Sequence, residues 1–300
     1  MSAEAKDEHC AGCGIAGVDD VKLKDCSACK LVKYCGVECQ KRHRREHKKE
    51  CKKRVAELRD ELLFKQPESS HYGDCPICCL PLSLENKKRG LTACCSKVIC
   101  NGCASANETR ELEGRLDHKC PFCRHPTPDT NEEAERILMK RVASNDPVAM
   151  SKMGTLRKKA GDHSGAVEYF TKAAELGDVD AHYNLSVMYG KGLGVEKDEK
   201  KELLHLECAV IGGHVLGRYN LGGVEEKNGR LDRAMKHWII AANMGYDNAL
   251  ESLKLMYQEG LISKEDFAAA LRAHQAAVDA TKSPQRKEAE EWFRLNTEDK

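Results

Sequence analysis

A chain of 300 residues and 33.4 kDa has room for two domains, or three if some are small. With 41% hydrophobic residues but only 5% aromatic, a single large aromatic core is not expected, and no apolar run nears the roughly 18–20 residues that span a bilayer. The N-terminal MSAEAKDEHC lacks the apolar stretch of a secretory signal, so the expectation is a cytoplasmic or nuclear protein, neither secreted nor held in a membrane. A formal charge of +1 gives no reason to expect nucleic acid as a partner.

Seventeen cysteines shape the rest of the reading, sixteen of them between Cys10 and Cys123. In a reducing compartment, spaced thiol pairs bind metal more often than they form disulfides. The first block offers Cys10 and Cys13, Cys26 and Cys29, Cys35 and Cys39, and His47 and Cys51. Two-residue gaps suit a tight knuckle turn, three-residue gaps one turn of helix, and the set suffices for two tetrahedral zinc ions. So short a segment cannot build an adequate apolar core, which makes zinc essential to its folding.

The run Tyr34-Cys35-Gly-Val-Glu-Cys39-Gln40, followed by His47-Lys-Lys-Glu-Cys51, resembles the MYND finger. The resemblance implies interleaved sites, with Cys10, Cys13, Cys35 and Cys39 on one ion and Cys26, Cys29, His47 and Cys51 on the other. His43, one turn before His47, is the rival ligand. MYND fingers often dock proline-rich peptides through a groove containing a tryptophan, and Arg44 stands in that place here, which counts against peptide docking. Residues 41–54 carry nine Lys or Arg against two Glu. Zinc-bound thiolates are anionic, so this basic stretch reads as an offset to the finger's own metal centres.

After Cys51, Val55, Leu58 and Leu62 recur at helical spacing, and Pro67 ends the helix. The second block holds Cys75, Cys78, Cys94, Cys95, Cys100, Cys103, Cys120 and Cys123, eight thiols for two more zinc ions. Its pattern resembles an all-cysteine RING finger. That implies a cross-brace, with Cys75, Cys78, Cys100 and Cys103 on one ion and Cys94, Cys95, Cys120 and Cys123 on the other. The adjacent Cys94 and Cys95 depart from the family's spacing, and Cys79 and His118 compete for one of those places. RING fingers act as ubiquitin ligases without a covalent intermediate. The resemblance implies docking of a charged ubiquitin-conjugating enzyme at Ile77 and Pro121, with Arg124 as the cation that holds the thioester in reactive geometry. Fifteen thiolates and four Zn²⁺ would bring the chain to about −6, against any strong affinity for DNA.

Thr130-Asn-Glu-Glu133 is a capping-box pattern that opens a helical half. Within it, Asn145-Asp-Pro-Val-Ala149, Gly177-Asp-Val-Asp-Ala181, Gly213-His-Val-Leu-Gly217 and Gly245-Tyr-Asp-Asn-Ala249 align at offsets of 32, 36 and 32 residues. Phe170, Leu206 and Trp238 share one register. Such a period, with two helices per unit, marks an α-solenoid. The stretch Gly192-Leu-Gly194-Val195-Glu-Lys-Asp198 resembles the Sel-one-like repeat, a relative of the tetratricopeptide that serves as a protein-binding scaffold. The expected fold class is therefore mainly α: a MYND-type finger (8–54), a RING-type finger (72–126), a Sel-one-like solenoid (130–280) and a helical tail (281–300) whose Trp292 and Phe293 either dock on the solenoid end, the favoured reading, or meet a partner. Cys208 reads as a small core residue. A methyltransferase domain, found with some MYND fingers, has no room in this chain. The function expected is a RING-type ubiquitin ligase whose repeats select a substrate; the alternative is a zinc-binding adaptor without catalysis.

Overall fold

The structure, a computed structural model, describes residues 9–17 and 21–297. The chain forms two compact units, one ending at Lys65 and the other beginning at Gln66. In the first, β1 (Lys24–Asp25) pairs antiparallel with β2 (Lys33–Tyr34), and the long helix α1 (Val37–Leu63) follows. The helix read from Val55, Leu58 and Leu62 thus begins much earlier. Of its 27 residues only His47 and Leu63 are buried, so α1 has no continuous apolar stripe to pack.

The second unit opens with β3 (Arg89–Leu91) and β4 (Val98–Cys100), antiparallel with Gly90 opposite Ile99, and then α2 (Asn101–Glu113). The Cys100 sulfur caps α2 by accepting from the Cys103 N–H. The repeat helices follow: α3 (Asn131–Ala143), α4 (Pro147–Lys159), α5 (His163–Glu175), α6 (Val179–Lys191), α7 (Glu199–Ile211), α8 (Val215–Lys227), α9 (Leu231–Asn243), α10 (Asp247–Gln258) and α11 (Lys264–Ala280), with α12 (Pro284–Thr297) forming the tail. The Thr130 hydroxyl accepts from the Glu133 N–H at 3.1 Å, while the Glu133 carboxylate reaches back to the Asp129 N–H at 3.3 Å.

Each joint between units uses one device. Asn145, Gly177, Gly213 and Gly245 are left-handed (φ +58°, +87°, +85° and +84°), and the next residue is the N-cap of the following helix. Asp146, Asp178 and His214 cap those helices through their side chains. Inside each unit a small residue on the first helix faces a large one on the second. A Cβ on Gly154 would lie 2.8 Å from the Phe170 ring, and one on Gly222 would lie 2.4 Å from Trp238 Nε1. Between them in register come Ser186 and Leu206, both buried. Cys208 is only half-buried, not a core residue.

The tail docks differently from expectation. Trp292 and Phe293 stay 50% and 41% exposed, and α12 packs instead against α2 through buried Arg286 and Ala289. Gly102 makes this approach possible, since a Cβ there would lie 2.8 Å from Arg286 Cγ. Among the described residues, no helix is long and apolar enough to cross a membrane.

Candidate metal centres

Four of the five Cys-x-x-Cys pairs fold into one local structure, the exception being Cys100 and Cys103 at the start of α2. Gly14, Lys30, Cys79 and Arg124, each following the second cysteine of a pair, have φ of +76°, +58°, +55° and +63°. Each N–H returns to the carbonyl of the pair's first cysteine, at 2.8 Å from Gly14 to Cys10, 3.1 Å from Lys30 to Cys26, 2.8 Å from Cys79 to Cys75 and 3.0 Å from Arg124 to Cys120. A left-handed residue without glycine costs about 1 kcal/mol, and the knuckle imposes it three times. The turn aims both sulfurs the same way.

The adjacent Cys94 and Cys95 belong to a fifth such turn. Ser96 is left-handed (φ +55°), and its N–H meets the Thr92 carbonyl at 3.0 Å. Thr92 occupies the place of a first cysteine, and its hydroxyl lies 3.0 Å from Cys95 Sγ. The sequence Thr92-Ala-Cys94-Cys95-Ser96 is a knuckle with its ligands at the last two of four positions. The signal for it in the sequence is the small polar turn residue directly after Cys95.

Four groups of donors converge, each with its ligand atoms within 4.8 Å of one another: Cys10, Cys13, Cys35 and Cys39; Cys26, Cys29, His47 and Cys51; Cys75, Cys78, Cys100 and Cys103; Cys94, Cys95, Cys120 and Cys123. Sulfur pairs stand at 3.6 Å (Cys13 and Cys35), 4.0 Å (Cys26 and Cys51), 3.8 Å (Cys78 and Cys100) and 3.3 Å (Cys94 and Cys123). A tetrahedral zinc with about 2.3 Å bonds to sulfur sets an edge near 3.8 Å, whereas a disulfide needs about 2.05 Å. The spacing fits a shared cation. His43 stands apart from these groups, its Nδ1 3.0 Å from the Tyr34 hydroxyl. Cys79 is turned away by its knuckle, and His118 pairs with Glu111 at 3.6 Å.

Electrostatics agree. Burial opposes ionisation of Cys26 and Cys10, but backbone N–H groups (Cys29 and Ala28 for the former, Cys35 and Gly12 for the latter) bring both down to about 6. Burial also opposes ionisation of Cys78, where the Leu80 N–H and the Arg286 guanidinium bring the thiol to about 7. Burial and the neighbouring Cys29 and Cys26 push Cys51 up to about 11, while hydrogen bonding with Cys39, Cys10 and Cys13 pushes Cys35 up to about 12. Four crowded thiols cannot all ionise without a compensating cation, which is what a divalent metal supplies.

Arg286 ties the third group to the tail. It is 7% exposed, and its guanidinium donates to the Pro81 carbonyl (2.6 Å), the Thr281 carbonyl (2.7 Å), the Leu80 carbonyl (3.1 Å) and Cys78 Sγ (3.3 Å). A charge so buried is held by its partners. Replacing Arg286 with Met keeps the packing stem and removes the donors, which we expect to cost about 2–4 kcal/mol and to free α12. Hydrogen exchange would report it as faster exchange across residues 284–295, with the repeats unchanged. Unaltered protection there would show that Arg286 is not the clamp.

The segment from Gln66 to Gly73 joins this module to the repeats. The His71 N–H meets the Gly213 carbonyl at 3.2 Å, and His71 Nε2 lies 3.0 Å from Asp180 Oδ1. His214 Nε2 approaches the same oxygen at 3.3 Å. His71, Asp180 and His214 would pass for a metal site, but His214 Nδ1 accepts the Gly217 N–H at 2.9 Å. Its proton therefore sits on Nε2, and the trio is a hydrogen-bonded clasp. Burial would raise the Asp180 carboxyl; the bonds from His214 and His71 outweigh it and hold the group well below its usual range.

Of the other candidates, Ile77 is 40% exposed and Pro121 half-buried. Arg124 is 46% exposed, and its guanidinium donates to Asn107 Oδ1 at 3.0 Å and lies 3.5 Å from the buried Glu111 carboxylate. Arg44 is exposed on α1.

Comparison with known proteins agrees with part of this architecture. The family model of the MYND finger matches residues 10–51, and that of the Sel1 repeat matches residues 148–178, 179–209 and 215–246. The chain therefore carries an N-terminal MYND zinc finger and a solenoid of Sel1 repeats. Over 204 residues it is 24% identical to DAP3-binding cell death enhancer 1 of Mus musculus, covering 55% of this chain and 40% of that protein. The protein of the same name from Rattus norvegicus is 23% identical over 193 residues, covering 51% and 38%. The chain thus spans about two-fifths of the length of these curated relatives. Among solved structures it is similar to a Sel1 repeat protein from Oxalobacter formigenes (24% identity, TM-score 0.44, 58% of this chain and 51% of that one). It is also similar to a protective antigen of uropathogenic Escherichia coli displaying an SLR fold (21% identity, TM-score 0.41, 57% and 37%).

Proposed function

We propose that this protein is a zinc-stabilised adaptor that holds a protein partner on its Sel1 repeats. The observation that carries this reading is a groove of about 490 Å³ formed by successive units of the solenoid, lined by Val187, Tyr219, Asn220, Trp238, Ser252 and Leu255 among others. An open groove that mixes apolar side chains with polar ones such as Asn220 and Ser252 suits an extended peptide. Four zinc ions, two per cysteine-rich module, would keep those modules folded. The curated relatives are named for binding DAP3, so a protein of that kind is the first partner to try.

A RING-type ligase is the second reading, favoured by the exposed Ile77 on a four-cysteine knuckle pair. Its proposed reactive cation, Arg124, is engaged by Asn107 and Glu111 of its own chain, which favours the adaptor. Discharge of ubiquitin to free lysine from a panel of charged conjugating enzymes separates the two. The adaptor predicts no acceleration by zinc-loaded protein. Acceleration that Ile77→Ala abolishes, with zinc content intact, would establish the ligase.

A further inference from the structure

The repeat register extends the groove beyond the part that the cavity encloses. Lys152, Asn184, Asn220 and Ser252 occupy one position on α4, α6, α8 and α10, at the same offsets as the joints, and Thr155, Val187, Gly223 and Leu255 occupy a second. The α8 and α10 members of both rows line the cavity. On α4 and the adjoining end of α6 the surface turns basic. Lys152, Lys158, Lys159 and Lys191 gather there, and Lys158 Nζ is 2.6 Å from Asn184 Oδ1. Lys158 also stands 5.9 Å over the Phe170 ring.

No carboxylate lies within 4.0 Å of any of these four lysines among the described residues, whereas the neighbouring Arg141 and Arg157 pair with Asp146 and Glu135. Helix C-terminal position accounts for Lys158, Lys159 and Lys191, whose charges face the negative end of the dipole. It does not account for Lys152, in the middle of α4. Burial, then Lys191 and Lys159, holds Lys158 below the usual lysine range, and burial with Lys159 does the same at Lys152. Half-buried like charges left without counterions destabilise the solenoid alone and are relieved by an anion. The cavity end has no such excess of positive charge, with Glu202 and Glu226 beside Lys227 on its walls. The larger cleft of about 1210 Å³ beside α12 offers no such polarity, because Lys88 pairs with Glu85 and Glu290 at its rim.

The geometry points to a bound peptide of defined polarity: an extended segment whose Asp and Glu side chains lie over Lys152, Lys158, Lys159 and Lys191, and whose apolar side chains lie over Val187 and Leu255. This inference rests on the proposed use of the repeats as a protein-binding surface and names the chemistry of the partner. The lysines supply steering and selectivity, and the apolar rows supply most of the contact area. A basic segment is repelled from the α4 end.

Panning a random twelve-residue peptide display library on the full-length, zinc-loaded protein tests this. Enriched peptides should carry Asp or Glu beside apolar residues. Fluorescence anisotropy of the leading labelled peptide should show roughly tenfold weaker binding to Lys159→Glu and to Lys191→Glu, both exposed positions, and affinity should fall as salt rises. Binders that Leu255→Glu abolishes but that lack acidic residues would overturn the assigned chemistry and leave the repeat surface as the partner site. Acidic binders indifferent to Lys159→Glu and Lys191→Glu would overturn the location. No enriched binder at all would overturn both this inference and the adaptor reading.

Discussion

Chelating zinc should unfold the first unit while the repeats remain helical. The buried centre of that unit is Cys10, Cys26, Cys29 and Tyr34, so three of its four side chains belong to the converging donor groups. Its two-stranded sheet has two residues per strand, and α1 buries only His47 and Leu63 along its length. Without metal, the crowded thiols reprotonate and the apolar area left cannot offset the conformational entropy of ordering the segment. Structural zinc contributes about 10–16 kcal/mol in small domains, more than this unit can recover elsewhere. The solenoid has no such dependence, since its units stack Phe170, Leu206 and Trp238 on neighbouring helices. Adding chelator should collapse the amide dispersion of residues 9–65 and leave most far-UV helical signal. Bound zinc, expected at four per chain, should fall by about one in Cys29→Ser. Preserved dispersion in chelator, or a starting ratio near two, would refute the assignment of ligands.

Much of this architecture is legible in residue spacing because its causes are local. A knuckle is a property of five consecutive residues, and a repeat joint needs only a left-handed residue followed by a cap, so Asn145 aligns with Gly177 on spacing alone. What the spacing conceals is tertiary. Arg286 sits in a helix whose obvious feature is Trp292 and Phe293, yet the charged residue is buried and the aromatics are not, because Gly102 on α2 leaves room for the Arg286 stem and the knuckle carbonyls of Leu80 and Pro81 satisfy its donors. His71 and Asp180 lie far apart in the chain, and nothing near either forecasts the other. The role expected of Arg124 rests on resemblance alone; its contacts with Asn107 and Glu111 depend on how α2 crosses the last knuckle. The unpaired lysines become informative only because the repeat register puts Lys152 in line with Asn184 and Asn220.

Two adjacent glycines on α8 should respond in opposite directions. Gly222 faces the Trp238 ring, where a Cβ would lie 2.4 Å from Nε1; at Gly223 nothing lies within 4 Å. Gly222→Ala pushes the indole off the hydrogen bond it donates to the Tyr219 carbonyl at 3.2 Å, and the overpacking should cost about 1–3 kcal/mol. Gly223→Ala removes backbone freedom from a helix interior at no steric cost and should stabilise by up to about 1 kcal/mol. Trp238→Ala sets the scale: a buried indole lost from the centre of the second half of the solenoid costs about 3–5 kcal/mol. In that background Gly222→Ala should become nearly neutral, because the ring it collides with is gone. Denaturant unfolding of the four variants measures all of these differences, and the coupling between Gly222 and Trp238 decides the matter. Equal costs for Gly222→Ala in the presence and absence of the indole would mean that this contact does not set the spacing of α8 and α9, and that the pairing of small and large residues along the repeats has another cause.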